Sequence, residues 1–90
     1  MDSASTRHTL RMMWVIVFAA TKRPLNEDEA RELRRLCRLI ERGVAGREQF
    51  NQRAEDFCAE MFSCGVLENR RINELGDLLL RIDELRDMLK

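Results

Sequence analysis

Residues 26–43 read NEDEARELRRLCRLIERG, and the pattern of this stretch predicts an amphipathic helix. Asn26 is a favoured N-cap, Glu29 completes the capping-box pattern three positions later, and Gly43 is a frequent residue just past a helix end. The apolar residues recur every three or four positions, as one buried helix face requires. They are Ala30, Leu33, Leu36, Cys37, Ile40 and Val44. The stretch therefore favours a helical domain with this face in its core.

The opposite side of this predicted helix is cationic. At about 100° per residue, five arginines fall within an arc of about 100°, and we call this set the arginine face. Its members are Arg31, Arg34, Arg35, Arg38 and Arg42. Such a face can bind an anionic partner, or it can pair with acidic side chains of the same chain or of a second copy. A solvated surface is the alternative, in which Glu32 and Glu41 pair with Arg35 and Arg38 on the same helix.

The composition is typical of a single helical domain. The 90 residues are 44% hydrophobic and 36% charged, with one proline and four glycines, which favours helices over sheets and over disorder. A chain of this length buries a limited core, so a second copy is a plausible source of added stability. The net charge of zero conceals a difference between the two halves of the chain. Residues 1–47 contain ten Lys/Arg and six Asp/Glu, whereas residues 48–90 contain six Lys/Arg and ten Asp/Glu.

Capping residues and apolar spacing predict an all-α fold, a compact bundle of about four helices that forms a homodimer. The predicted helices cover residues 10–21, 26–43, 47–63 and 67–88. Thr9 is the expected N-cap of the first helix, with Thr6 or Ser5 as earlier candidates. Residues 1–8 are small and polar and are expected to form a flexible N-terminus, which leaves residues 9–90 as a single helical domain.

Residues 12–20, MMWVIVFAA, form an apolar stretch that we interpret as part of a core helix. A bilayer-spanning helix needs about 20 apolar residues, so this stretch is too short to cross a membrane. Trp14 and Phe18, four positions apart, supply bulk on one side. Two alternatives stay open: the β-branched run 15–17 also suits a strand exchanged between two copies, and the length suits a signal-peptide core or a membrane-surface anchor.

The predicted fourth helix carries more apolar surface than a short hairpin needs. An a/d heptad pattern, interrupted by Arg86, is formed by Ile72, Leu75, Leu79, Ile82 and Leu89. Leu78, Leu85 and Met88 widen this stripe. A bundle helix explains the stripe, and a coiled coil between two subunits is the alternative. The predicted oligomer interface is Trp14, Phe18, Leu75, Leu79, Ile82 and Leu89.

Part of the same segment resembles a BH3 motif, in which hydrophobic anchors flank a Gly-Asp pair on a helix bound in a Bcl-2-type groove. The matching residues are Ile72, Leu75, Gly76, Asp77 and Leu79. The resemblance implies a helix that docks on a grooved protein partner. The segment departs from the motif at two positions. Glu68 occupies the preceding anchor position, where the motif has an apolar residue, and Ile72 occupies a position where that family almost always has leucine. A second interpretation is that Gly76 lets another helix approach closely.

The sequence offers no pattern for catalysis or for a resident metal. Cys37, Cys58 and Cys64 lack the spacing of a zinc site and fit buried reduced thiols. His8 is the single histidine, and no phosphate-binding glycine loop or nucleophile motif occurs. We therefore expect no enzyme activity, no cofactor and no small-molecule substrate. The free thiols indicate an intracellular location, the cytoplasm or the nucleus.

Two functions fit these expectations. The first is a small interaction protein, a homo-oligomer that acts on a protein partner through the arginine face, with Arg47 extending it. The second is a sequence-independent binding protein for double-stranded nucleic acid, RNA in particular, of the viral silencing-suppressor type. Arginines one turn apart suit phosphates, and the chain has no run of aromatic residues for stacking on single strands. No membrane partner is expected.

Overall fold

The protein is all-helical over the residues that its computed structural model describes, 2–68 and 74–90. Four α-helices and one short 3-10 turn follow one another, and no strand occurs in these two ranges. The elements are α1 (Ser3–Ala20), α2 (Glu27–Glu41), α3 (Glu48–Ser63), the 3-10 turn (Val66–Glu68) and α4 (Leu75–Asp87). The predicted all-α bundle is therefore confirmed.

The first helix begins earlier than the sequence suggested. It starts at Ser3 rather than at Leu10, because Asp2 is its N-cap and accepts a hydrogen bond from the Ser5 amide at 2.7 Å. The expectation of a flexible segment over residues 1–8 is thus corrected for residues 3–8, which are helical.

Two threonines explain why a polar segment can belong to this helix. Thr6 and Thr9 are buried, and each hydroxyl donates to the carbonyl oxygen four residues earlier, Asp2 and Ser5, at 2.9 Å. Both hydroxyls are thereby satisfied inside the helix, and their methyl groups are free to pack. Thr9, expected as the N-cap, is an interior residue instead. Residues 12–20 also lie in α1, so the exchanged strand is not adopted.

The second and third helices follow the sequence closely. The capping box at Asn26 is present, with its side chain accepting from the Glu29 amide at 2.8 Å and the Glu29 carboxylate accepting from the Asn26 amide at 3.0 Å. The connection from α2 to α3 is closed by Asn51. Its amide group accepts from the Val44 amide at 2.7 Å and donates to the Val44 carbonyl at 3.0 Å. Gly43 precedes this contact with φ +76°.

The fourth helix is shorter than predicted and is buried along a different stripe. It begins at Leu75, whereas the predicted helix began at Leu67, and residues 69–73 with the expected core position Ile72 lie outside the described residues. The buried side chains share Ile82 and Leu89 with the expected heptad pattern, but Leu78 and Leu85, expected at the edge of the stripe, take the place of Leu79 and Arg86. The buried side chains are thus Leu78, Ile82, Leu85 and Leu89. Leu75 and Leu79 flank this stripe and are partly buried.

The helices pack in the order of a four-helix bundle. The first helix contacts both α2 and α4, α2 contacts α3, and α3 contacts α4. The largest fully buried side chains come from all four: they include Leu10, Met13, Leu33, Phe50, Phe57 and Ile82. The three cysteines are free thiols, and the Cys58 thiol donates to the Cys37 carbonyl oxygen at 3.4 Å. Hydrogen bonding to Cys37 and burial raise the pKa of the Cys58 thiol above its ordinary value.

The arginine face and its adjoining groove

The arginine face lies on the surface of the bundle because the opposite side of α2 is held in the core. Leu33, Leu36 and Ile40 are buried, and they fix the rotation of the helix. The side chains of Arg31 and Arg35 are 75% and 56% exposed. Arg38 and Arg42 are also exposed, and Arg34 is half-buried at the edge. A partner could therefore reach the face in a single chain.

Two of the five arginines pair with acids on their own helix. Arg31 lies 3.4 Å from Asp28, and Arg35 is hydrogen-bonded to Glu32. The hydrogen bond with Arg35 lowers the pKa of Glu32 below its ordinary value. Exposed pairs of this kind contribute little to stability, so an anionic partner can displace them at small cost.

The other three arginines form a row along the helix axis. Arg34, Arg38 and Arg42 are spaced four residues apart, which places successive members about 6 Å apart along the helix. Within the described ranges, no acid lies at ion-pair distance from any of them, and the expected pair between Arg38 and Glu41 is not formed. This row is the least neutralised part of the arginine face.

An open groove adjoins the arginine face, with a volume of about 540 Å³ between α1 and α2. Its apolar lining consists of Ala4, Met12, Leu36 and Leu39, and Arg35 belongs both to the groove and to the arginine face. The polar lining residues are Ser5, His8 and Thr9. Sequence reasoning missed this groove because it assigned residues 1–8 to a flexible segment. The signal that could have found it is Asp2, an N-cap residue three positions before Ser5.

Arg47, expected to extend the arginine face, makes a contact of its own. Its Nη1 lies 3.4 Å from the carbonyl oxygen of Met88, which is the C-cap residue of α4. A cation at this position complements the negative end of the helix dipole. Arg47 therefore forms a hydrogen bond across the bundle, in addition to any role in binding a partner.

The acidic residues of α3, Glu48, Glu55, Asp56 and Glu60, are exposed, like most of the arginine face. No ion pair between described residues joins the two. Glu60 pairs instead with Arg81 of α4, whose guanidinium lies 5.2 Å from the centre of the Phe57 ring. Among the described residues, the acids of α3 therefore do not neutralise the arginine face.

The predicted oligomer interface divides between core and surface. Ile82 and Leu89 are buried in the core of the single chain, where a second copy could not contact them. Trp14 is half-buried, and it stacks on the exposed Phe18 with ring centres 5.1 Å apart. The sequence did not single out Val15 or Leu80, which are both exposed. The partly buried Leu75 and Leu79 flank the core stripe.

The BH3-like segment is only partly described. Ile72 lies outside the described residues, and Gly76 and Asp77 are exposed on α4. A methyl group added at Gly76 would meet no atom of the described residues within 4 Å, so this glycine does not serve a close approach between the described helices of the chain.

No protein-family model, curated protein or solved structure matches the chain. Across residues 2–68 and 74–90, no helix is long and apolar enough to cross a membrane. The same residues contain no group of three His, Cys, Asp or Glu side chains that could hold a metal ion. The function is therefore argued from the geometry and charge of the surface.

Proposed function

We propose that the protein is a small, non-catalytic interaction module that binds an acidic protein partner through the arginine face and the adjoining groove. The observation that carries this proposal is the position of Arg35, which belongs to both features. A partner segment with acidic side chains and one apolar side chain could pair with the arginines and fill the apolar floor at the same time. Complementary charge would speed the encounter, and the apolar contact would slow release.

The side chains of the groove favour binding over catalysis. Its only imidazole, His8, makes no described hydrogen bond with Ser5 or Thr9. The Thr9 hydroxyl already donates a hydrogen bond to the Ser5 carbonyl oxygen within α1. A nucleophile activated by a neighbouring base is therefore not assembled among these described residues.

Double-stranded RNA or DNA is the second candidate, and the row of Arg34, Arg38 and Arg42 favours it. A polyanion can contact all three along one strand without any apolar contact, and its affinity would fall steeply with salt. The groove distinguishes the two candidates, because Met12 and Leu39 offer nothing to a phosphate backbone.

Fluorescence anisotropy with two labelled probes would test the proposal. One probe is a synthetic amphipathic helix of glutamate and leucine, and the other is a duplex RNA of about 20 base pairs, each titrated at low and near-physiological salt. We expect the peptide to bind, Arg35→Glu with Arg38→Glu to weaken it at least tenfold, and Leu39→Asn to weaken it without affecting RNA. Arg53→Glu, an exposed arginine of α3, is the matched control.

Three results would count against the proposal. They are an absence of peptide binding at low salt, an equal loss in the Arg53→Glu control, and peptide binding that is indifferent to Leu39→Asn. Tight, salt-sensitive binding of the RNA alone would favour the second candidate, in which the arginine face binds double-stranded nucleic acid.

The proposed active form is a homo-oligomer. A chain of 90 residues buries a limited core, so a second copy would add stability, and large apolar side chains are exposed on α1 and α4. Two chains would present two arginine faces, so a partner with repeated acidic segments would bind with increased avidity.

A further inference from the structure

Three large apolar side chains are exposed among the described residues, and all belong to two helices that pack against each other. Val15 and Phe18 of α1 are 57% and 42% exposed, and Leu80 of α4 is 59% exposed. Trp14, stacked on Phe18, enlarges the apolar surface of α1. The grouped exposure on α1 is typical of a contact surface, whereas single apolar side chains scattered over a protein are not.

The two apolar residues of α1 are flanked by bases along one helical stripe, which continues to Lys22 just past the end of the helix. Arg11, Val15, Phe18 and Lys22 follow one another at spacings of four, three and four residues. All four are exposed, and the Lys22 amine lies 5.2 Å from the centre of the Phe18 ring. Between Ser3 and Ala20 the sequence contains no acid. The outer surface of α1 is therefore both apolar and positively charged.

On α4 the corresponding stripe is apolar and negatively charged. Gly76, Leu80, Asp83 and Asp87 follow at spacings of four, three and four residues. The two acids make ion pairs within their own segment, Asp83 with Arg86 at 3.8 Å and Asp87 with Lys90 at 3.0 Å. Both carboxylates remain about half exposed or more. Gly76 leaves open space beside Leu80, where another helix can approach.

We infer that a second copy of the chain occupies this surface, with α1 of each copy lying against α4 of the other. Two neighbouring stripes of opposite charge are self-complementary when a two-fold axis runs along the helices in the plane of contact. A two-fold axis across the helices would instead oppose α1 to α1 and bring like charges together. The charge pattern thus selects one of the two symmetric arrangements.

This dimer would leave the arginine face accessible. None of the charged and apolar side chains of these stripes belongs to α2, the helix that carries the arginine face. The inference does not depend on the proposed partner, because it concerns residues outside the arginine face and its groove.

Charge exchange between two variants tests the arrangement by analytical ultracentrifugation. One variant carries Arg11→Glu and Lys22→Glu, and the other carries Asp83→Lys and Asp87→Lys. We expect the unmodified chain to be a dimer, each variant alone to raise the dimer dissociation constant at least tenfold, and their equimolar mixture to recover the dimer. The mixed dimer should form because the acidic α1 of one variant would face the basic α4 of the other, while the unmodified α1 and α4 of the pair would also face each other.

A control and a replacement variant complete the test. Arg31→Glu with Arg42→Glu, on the arginine face, should leave the dimer unchanged. If circular dichroism shows that an exchanged variant loses helicity, Leu80→Arg at the exposed apolar position replaces it and should give a monomer. An unmodified chain that is monomeric at 100 μM, a mixture that stays monomeric, or a dimer that the arginine-face control disrupts would overturn the inference.

Discussion

At the scale of single residues, Glu29 stabilises the start of α2 in two ways. Its carboxylate accepts from the Asn26 amide at 3.0 Å and forms an ion pair with Arg23 at 2.6 Å. The hydrogen bond with Arg23, followed by that with Asn26, lowers the pKa of Glu29 from its ordinary value of 4.5 to about 2. A lowered pKa in the folded state stabilises the protein above the unfolded pKa, and this contribution is lost as the pH falls toward the folded value.

Glu29→Gln should therefore lower stability at pH 7, and its difference from the unmodified chain should shrink between about pH 4.5 and about pH 2. Urea unfolding of both chains across this range measures the difference. Glu27→Gln, in the same first turn, serves as a control for general charge effects. A difference that stays constant down to pH 2 would show that the ionised form of Glu29 is not what stabilises the helix.

Gly43 and Gly46 form a second residue-scale comparison. Both have positive φ, +76° and +78°, so alanine at either position should cost about 1–2 kcal/mol in backbone strain. A Cβ at Gly43 would also lie 2.7 Å from Asn51, whereas one at Gly46 meets nothing within 4 Å. Gly43→Ala should therefore be the more destabilising, as measured by thermal and urea unfolding.

The added cost at Gly43 depends on Asn51 and can be isolated by a double-mutant cycle. Gly43→Ala combined with Asn51→Ala should cost less than the sum of the two single changes. Strict additivity would mean that the alanine is accommodated without displacing the asparagine.

At the scale of elements, α4 carries two aliphatic side chains of equal size on opposite faces. Ile82 is fully buried and Leu80 is exposed. Ile82→Ala should cost about 2–5 kcal/mol, because it leaves a cavity in the core, whereas Leu80→Ala should change the free energy of unfolding by less than about 0.5 kcal/mol. Urea unfolding at a protein concentration low enough to keep the chain monomeric gives both values. Comparable losses would indicate that the buried stripe of α4 is assigned to the wrong face.

The helices differ in how far their sequences determine them. The capping box and a strong amphipathic pattern sufficed to predict α2, because both signals are local. For α1 the local signal is misleading, since Thr6 looks like part of a polar lead-in and Thr9 looks like an N-cap, whereas both hydroxyls form hydrogen bonds within the helix. In α4 two heptad registers coexist in the sequence. The choice between them depends on where α1 and α3 lie, which no local pattern contains.

At the scale of the whole molecule, the arginine face should be dispensable for folding. Arg38 and Arg42 are exposed and pair with no acid among the described residues, so Arg38→Glu with Arg42→Glu should change the free energy of unfolding by less than about 1 kcal/mol. Arg81→Glu should cost more, because it removes the contact with Phe57 and opposes Glu60. Circular dichroism and urea unfolding compare the two variants. A larger loss from the arginine-face change would make that face structural.

The candidate site was likewise predictable in part. Spacing alone placed the five arginines on one exposed face, because the burial of α2 follows from its own sequence. The groove required the position of α1 relative to α2, and it was therefore invisible to local patterns. The same holds for Leu80, whose exposure follows from the register that packing selects.

The link between Val44 and Asn51 also bears on the order in which the chain folds. It joins residues seven positions apart, so forming it costs little chain entropy. The contact between α1 and α4, by contrast, joins the two ends of the chain and closes a far longer loop. The hairpin of α2 and α3 should therefore form first and act as the nucleus onto which the terminal helices condense. In kinetic terms, Asn51→Ala should slow refolding, whereas Ile82→Ala should mainly accelerate unfolding.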